Sequence, residues 1–289
     1  MLKHLFKAMR PRQWTKNGFV FFGLIFDKQL FLPEPFLRTL EGFFLFCLIS
    51  SSVYLFNDIA DIEADRRHPE KKHRPLASGE LPVGVATAAA VILAVFALAL
   101  GYLLEPWFAA AVAVYFVINL LYSRWLKHVP VLDVLIISAG FVLRVAGGVT
   151  LITVERFSPW LYVITVLFSL YLGFGKRRAE MSLLEKGAGS HRKVLDGYTI
   201  PLLDQYITIV SGMTIVTYSL YSFSAENLPE NHSMMLTIPF VVYGIFRYLQ
   251  LIQTGHAAGS PEEVALKDRP LQATVILWGL AVIAVFYLS

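Results

Sequence analysis

The residues with the clearest chemical potential stand in one short run, Asn57-Asp58-Ile59-Ala60-Asp61-Ile62-Glu63-Ala64-Asp65. Asn57, Asp61 and Asp65 recur four apart, which places them on one face of a helix, and Asp58 joins the edge of that face. Glu63 points elsewhere. Like charges four apart destabilise an isolated helix by about 0.2–0.5 kcal/mol per pair. At the end of an apolar stretch the cost is greater, so positive charge must sit there. Oxygen-only donors suit a hard divalent cation, and Mg²⁺ in particular is held by one or two carboxylates together with substrate phosphates. Asp58, Asp61 and Asp65 are therefore read as catalytic and, with Asn57, as metal ligands. The competing account is a helix end neutralised by Arg66, Arg67 and Arg74 without a metal.

A basic run follows at once, from Arg66 and Arg67 through Lys71, Lys72 and Arg74. Pro69 and Pro75 limit helix at both ends, so an ordered loop can fold these cations back over the carboxylates. Arginine offers planar bidentate phosphate contacts and lysine a point charge. Arg66, Lys71 and Arg74 are read as substrate-binding, Arg74 foremost because it abuts Pro75. Membrane topology alone also accounts for cations here. His68 and His73 are read as loop residues.

The composition says what must hold these groups. Of 289 residues 56% are hydrophobic and 16% charged, against roughly 25% charged in soluble domains, and the mean hydropathy is +0.59. This excludes a disordered chain, a collagen-like chain and an ordinary soluble enzyme. A single cysteine, Cys47, excludes a disulfide framework and a cysteine-based zinc site. Apolar stretches recur at about 13–32, 36–56, 83–104, 107–123, 131–153, 159–175, 204–223, 233–253 and 270–288. The first is the weakest, with Asp27 and Lys28 near its far end, and nothing in it resembles a cleaved signal peptide.

With the N-terminus in the cytoplasm, 20 of the 25 Lys and Arg lie on the cytoplasmic face. Lys28, Arg38 and Arg156 lie opposite, and Arg144 and Arg247 fall inside spans. By the same assignment 14 of the 21 Asp and Glu share the cytoplasmic face, which topology does not require. The fold class is thus all-α: one polytopic transmembrane domain over 1–289, about nine helices around a central pocket open to the cytoplasm. The inner (plasma) membrane is the expected location. The net charge of +4 is explained by cytoplasmic loops, so no nucleic-acid partner is expected. Oligomerisation is compatible with this architecture. Arg144, midway along a span, is expected to face the pocket, because an intramembrane arginine is costly without a cavity or partner.

The pattern Asn-Asp-x-x-Asp-x-x-x-Asp, the basic stretch and Arg74-Pro75-Leu76-Ala77-Ser78-Gly79 together resemble the first aspartate-rich motif of the UbiA superfamily of intramembrane prenyltransferases. The N-terminal run Arg10-Pro11-Arg12-Gln13-Trp14-Thr15-Lys16-Asn17 resembles that family's first helix. The resemblance extends over nearly the whole chain and implies Mg²⁺ dependence, with Lys16 and Asn17 among the substrate-binding residues. Members that prenylate aromatic rings carry a second Asp-x-x-x-Asp motif near the sixth helix. Here the matching place reads Gly175-Lys176-Arg177-Arg178-Ala179-Glu180, followed by His191-Arg192-Lys193-Val194-Leu195-Asp196-Gly197-Tyr198.

This cation-rich replacement resembles the decaprenyl-phosphate phosphoribosyltransferase branch. So do Tyr122-Ser123-Arg124-Trp125-Leu126-Lys127, Gly140-Phe141-Val142-Leu143-Arg144, Ser260-Pro261-Glu262-Glu263 and Asp268-Arg269-Pro270-Leu271. The resemblance implies transfer of 5-phosphoribose from phosphoribosyl pyrophosphate to a polyprenyl phosphate. It implies substrate-binding roles for Tyr122, Lys127, Arg144, Lys176, Arg177, Glu180, Arg192, Tyr198, Asp268 and Arg269. Two alternatives stay open: prenyl transfer from a prenyl diphosphate to an aromatic or other acceptor, and anion transport. Transport predicts inverted repeats, and no internal symmetry is visible.

Overall fold

The computed structural model describes residues 1–288 apart from 69–70, 155–158, 186–192, 227, 255–263 and 265–266. Among the described residues all regular structure is helical. Eight helices among the described residues are long and apolar enough to cross a membrane, which makes this a multi-pass membrane protein. The chain packs as two compact units, residues 1–127 with 139–155, and residues 128–138 with 156–289.

In the first unit a short α1 (Leu2–Ala8) precedes a 3₁₀ segment, Pro11–Phe21, which runs into α2 (Phe22–Phe26). The first expected span is therefore not an ordinary α-helix. Eleven residues at about 2 Å rise and five at about 1.5 Å nevertheless reach roughly 30 Å, the thickness of a bilayer's hydrocarbon. The narrow thread suits its neighbours. A Cβ at Gly148 would lie 1.9 Å from the Val20 carbonyl oxygen, and one at Gly23 would lie 2.9 Å from Val149 Cγ2. Gly148→Ala is expected to push the thread off the helix that carries Gly148 and cost about 1–3 kcal/mol, measured by thermal unfolding in detergent.

α3 (Pro33–Ala60) packs against this thread, α5 (Val83–Leu104) and α6 (Pro106–Arg124). α5 turns Ala86, Ala90, Ala94 and Ala97 inward and leaves Ile92, Val95 and Phe96 outward for lipid. Small inward residues let the backbones approach, and Ser52 Oγ donates to the Ala90 carbonyl at 2.7 Å. On the far side Arg38 donates to the carbonyls of Leu104 (3.1 Å) and Leu151 (3.0 Å), both left open where helices end. α3 ends at Ala60, and α4 (Ile62–Arg67) begins after a break at Asp61. The hydrogen bonds Asp61 N–H to Asn57 O (3.0 Å) and Asp65 N–H to Asp61 O (2.8 Å) carry the helical register through the break.

α7 (Leu132–Thr150) has its start in the second unit and its remainder in the first. The second unit then holds α8 (Pro159–Glu185), a 3₁₀ turn at Lys193–Gly197, α9 (Ile200–Ser224), α10 (Ile238–Gln253) and α11 (Arg269–Leu288). Its core gathers Val134, Tyr171, Phe174, Leu195, Leu203 and Ile207. α8 runs ten residues beyond the expected end at 175, so Lys176, Arg177 and Glu180 lie on a helix. The reason is charge pairing, described below.

Candidate active site

The acidic run of the first unit is a set of ion pairs. Asp58 and Asp65 are each only 3% exposed. Arg74 Nη1 donates to Asp58 Oδ1 (3.1 Å) and to Asp65 Oδ2 (2.7 Å), so the loop does fold its arginine back over the helix end. Arg10 Nη2 donates to the same Asp58 oxygen. Arg10 also stacks on Tyr54, its guanidinium carbon 4.8 Å from the ring centre. Lys127 Nζ reaches Asp61 at 3.1 and 3.3 Å. Asn57 Oδ1 accepts from the Ser123 hydroxyl. The four expected ligand residues are thus drawn to one helix end, together with three cations.

The donor set is chemically suited to a hard divalent cation, since every side chain offers oxygen and Asp61 remains 40% exposed. Among the described residues, however, no three of His, Cys, Asp or Glu stand arranged around a common metal position. The carboxylates are turned to Arg10, Arg74 and Lys127 instead. A metal held by Asn57, Asp61 and Asp65 would take over the counter-charge that Arg74 and Lys127 now provide for the two aspartates.

The other expected residues of this unit fall into two groups. Arg66 donates to Glu63 (2.9 Å) and to the Ala77 carbonyl (3.4 Å), away from the aspartates. The Lys71 backbone N–H donates to His68 Nδ1 at 3.3 Å. Lys16 and Tyr122 are half-buried on the 3₁₀ thread and the last turn of α6. Asn17 and Arg144 lie deeper and bind each other. Arg144 is 5% exposed and donates to Asn17 Oδ1 (2.8 Å), the Gly140 carbonyl (2.7 Å) and the Tyr115 hydroxyl (2.9 Å). Its guanidinium carbon lies 4.6 Å from the Tyr115 ring centre. These neutral acceptors and aromatic faces are the partners that make an intramembrane arginine tolerable.

A second constellation belongs to the second unit. Arg177, 1% exposed, donates to Asp133 Oδ2 (2.6 Å) and, through its other arm, to Glu180 Oε2 (2.6 Å). The Tyr198 hydroxyl donates to Asp133 Oδ1 at 2.7 Å and accepts from the Val131 N–H at 2.5 Å. Burial pushes the Tyr198 phenol above its ordinary value, with the adjacent Asp133 carboxylate acting the same way. Arg178 is engaged by Asp204 at 3.1 Å. Lys176 is half-buried on the opposite side of α8 from Arg178.

Asp268 takes Arg247 at 2.7 and 3.2 Å and the Leu271 N–H at 2.9 Å, which makes it the N-cap of α11. The arginine's hydrogen bond holds its carboxyl below the usual carboxylate value, assisted by the Leu271 N–H. Arg269 is exposed. Arg192 and the run Ser260–Glu263 lie outside the described residues.

Three participants were not singled out from the sequence. Arg10 carried a signal in its position before Pro11 at the start of the first apolar stretch. Asp133 carried a stronger one, since it falls within the apolar stretch 131–153, where a carboxylate calls for a cation. Ser123 carried none, since hydroxyls at helix ends are common.

A model of the UbiA prenyltransferase family matches residues 18–262. The chain is 36% identical over 307 residues to the decaprenyl-phosphate phosphoribosyltransferase of Mycolicibacterium smegmatis, covering 100% of this chain and 94% of that protein. It is 33% identical over 291 residues to the protein of the same name from Corynebacterium glutamicum, covering 98% and 87%. Among solved structures it resembles a UbiA homolog from Archaeoglobus fulgidus bound to DMAPP and Mg²⁺, with a TM-score of 0.74, 16% identity and 99% of both chains covered. At that identity the likeness speaks for the fold.

Proposed function

The chain belongs to the UbiA prenyltransferase family, and on that premise we propose that it transfers 5-phosphoribose from phosphoribosyl pyrophosphate to a polyprenyl phosphate of the decaprenyl type. The products are polyprenylphosphoryl-5-phosphoribose and pyrophosphate. The observation that carries this reading is similarity over the full chain to enzymes of that name. The whole chain, 1–289, is taken as one transferase domain. The strong excess of cations on one face supports a cytoplasmic active site in the inner membrane.

The bond between ribose C1 and the pyrophosphate oxygen breaks, and a bond between C1 and a lipid phosphate oxygen forms. The lipid phosphate is already anionic at neutral pH, so no strong general base is needed. This agrees with a constellation that holds carboxylates and cations. Negative charge develops on the departing pyrophosphate, and preorganised cations lower the barrier by meeting it. Arg74 and Lys127 are the residues assigned to that task. Mg²⁺, when bound by Asn57, Asp61 and Asp65, supplies further positive charge to the pyrophosphate. In the second unit Arg177 and Arg178 are committed to Asp133, Glu180 and Asp204. On the resemblance, Lys176, Arg177 and Arg192 are assigned to a substrate phosphate.

The test is an assay of the purified protein with Mg²⁺, ribose-labelled phosphoribosyl pyrophosphate and decaprenyl phosphate. Label moving into the lipid phase is the expected result. Label remaining in water, with a prenyl diphosphate consumed in its place, would move the chain to the prenyl-transferring members of its family.

A further inference from the structure

Asp58 differs from the other acids of its run. It is buried, it lies off the Asn57–Asp61–Asp65 face, and one of its oxygens, Oδ1, accepts from both Arg10 Nη2 and Arg74 Nη1. An oxygen already shared by two guanidiniums is poorly placed to serve a metal. The two arginines are far more open than their acid, with side chains 28% and 30% exposed. Arg74 uses only Nη1 toward protein, which leaves its Nε–Nη2 edge without a partner among the described residues. Arg10 uses only Nη2, and Tyr54 beneath its plane fixes the direction of the rest. Each free edge is the planar fork that matches two phosphate oxygens.

The backbone adds a further observation. Arg10 sits in the left-handed region, φ 56° and ψ 61°, immediately before Pro11. A non-glycine residue held there is strained, and proline disfavours helical backbone in the residue before it. Such a conformation persists only where the surroundings over-determine it. Here it brings a guanidinium from the N-terminal segment onto a carboxylate at the end of α3.

We propose that Asp58 is a positioning residue and not a metal ligand: it sets Arg10 beside Arg74 as a paired fork for a phosphate of the substrate. The inference rests on the transfer reading for the identity of that phosphate. It also separates the roles of two acids. Asp65 can turn from Arg74 to a metal, and Asp58 then keeps Arg74 in place.

The test uses the full-length protein, Mn²⁺ as metal probe and inorganic pyrophosphate as anion probe. Asp58→Asn is expected to bind Mn²⁺ as the unaltered protein does. Its affinity for pyrophosphate should fall about ten- to a hundred-fold, the scale of one charge-assisted hydrogen bond. KM for phosphoribosyl pyrophosphate should rise in step, with kcat little changed. Asp61→Asn, by contrast, should lose Mn²⁺. Should Asp58→Asn not fold, Arg10→Gln leaves every acid in place and should show the same loss of pyrophosphate with Mn²⁺ binding intact.

Loss of Mn²⁺ in Asp58→Asn matching that in Asp61→Asn overturns the proposal. So does unchanged pyrophosphate affinity in Arg10→Gln. Because both probes report binding alone, an unaltered protein that binds them but transfers no ribose would remove the transfer reading and leave this one standing. One that binds neither would remove both.

Discussion

Asp61→Asn is expected to lower transfer by about a hundred- to a thousand-fold, the scale seen when one group that meets developing charge is removed. The substitution keeps the shape of the side chain and removes its charge. Among the described residues the Asp61 carboxylate pairs with Lys127, at 3.1 Å, and is 40% exposed. Ion pairs of that exposure contribute about 0–1 kcal/mol, so the melting temperature should barely move. The two readouts together decide the matter. A large loss of rate at unchanged stability assigns Asp61 to the chemistry. Near-normal turnover, or turnover that persists with excess chelator, removes the metal-bearing helix from the mechanism.

The second expected result concerns stability. Asp133→Ala should destabilise the protein by about 3–5 kcal/mol, because it strands a buried guanidinium. Arg177 is 1% exposed and Asp133 is 0% exposed. Glu180 meets the guanidinium through Nη1, whereas Nε is met by Asp133. The Tyr198 hydroxyl loses its acceptor at the same time. Replacing both charged partners, as in Asp133→Leu with Arg177→Met, should recover much of the loss, since an apolar pair leaves no stranded charge. Unfolding in detergent measures all three proteins. Full stability of Asp133→Ala alone would show that the pair does not hold these segments.

Tyr198 sets the pH behaviour of this network. Its folded value lies above the ordinary tyrosine value near 10, so the protonated hydroxyl is favoured by folding. That contribution is complete below about pH 10 and is lost only as pH climbs through the raised value.

How far the sequence anticipated these sites can be judged residue by residue. The shared face of Asn57, Asp61 and Asp65 was legible because helical spacing is a property of the chain alone. The return of Arg74 was legible because two prolines bounded its loop. The ends of α8 were not. Lys176–Arg178 has the look of the polar boundary of a span, but the helix continues to Glu185, with Arg177 meeting Asp133 and Glu180 inside the fold. The 3₁₀ thread was not legible either. Hydropathy counts apolar residues, whereas the close approach of the thread to Gly148 depends on a neighbour far along the chain. Arg10 and Asp133 went unmarked because their partners lie 48 and 44 residues away in the chain.

The pairing of Asp58, Asp61 and Asp65 with Arg10, Arg74 and Lys127 has one more consequence. The protein carries its own competitor for whatever these acids and bases are meant to meet. On the proposed reading, arrival of metal and substrate is a swap of partners for Asp61 and Asp65, in which their internal ion pairs open as external ones close while the pairs of Asp58 persist. Such a swap releases much less free energy than binding to bare charges. It favours ready turnover over tight retention, and it spares the empty enzyme an unbalanced cluster of charge at the membrane surface.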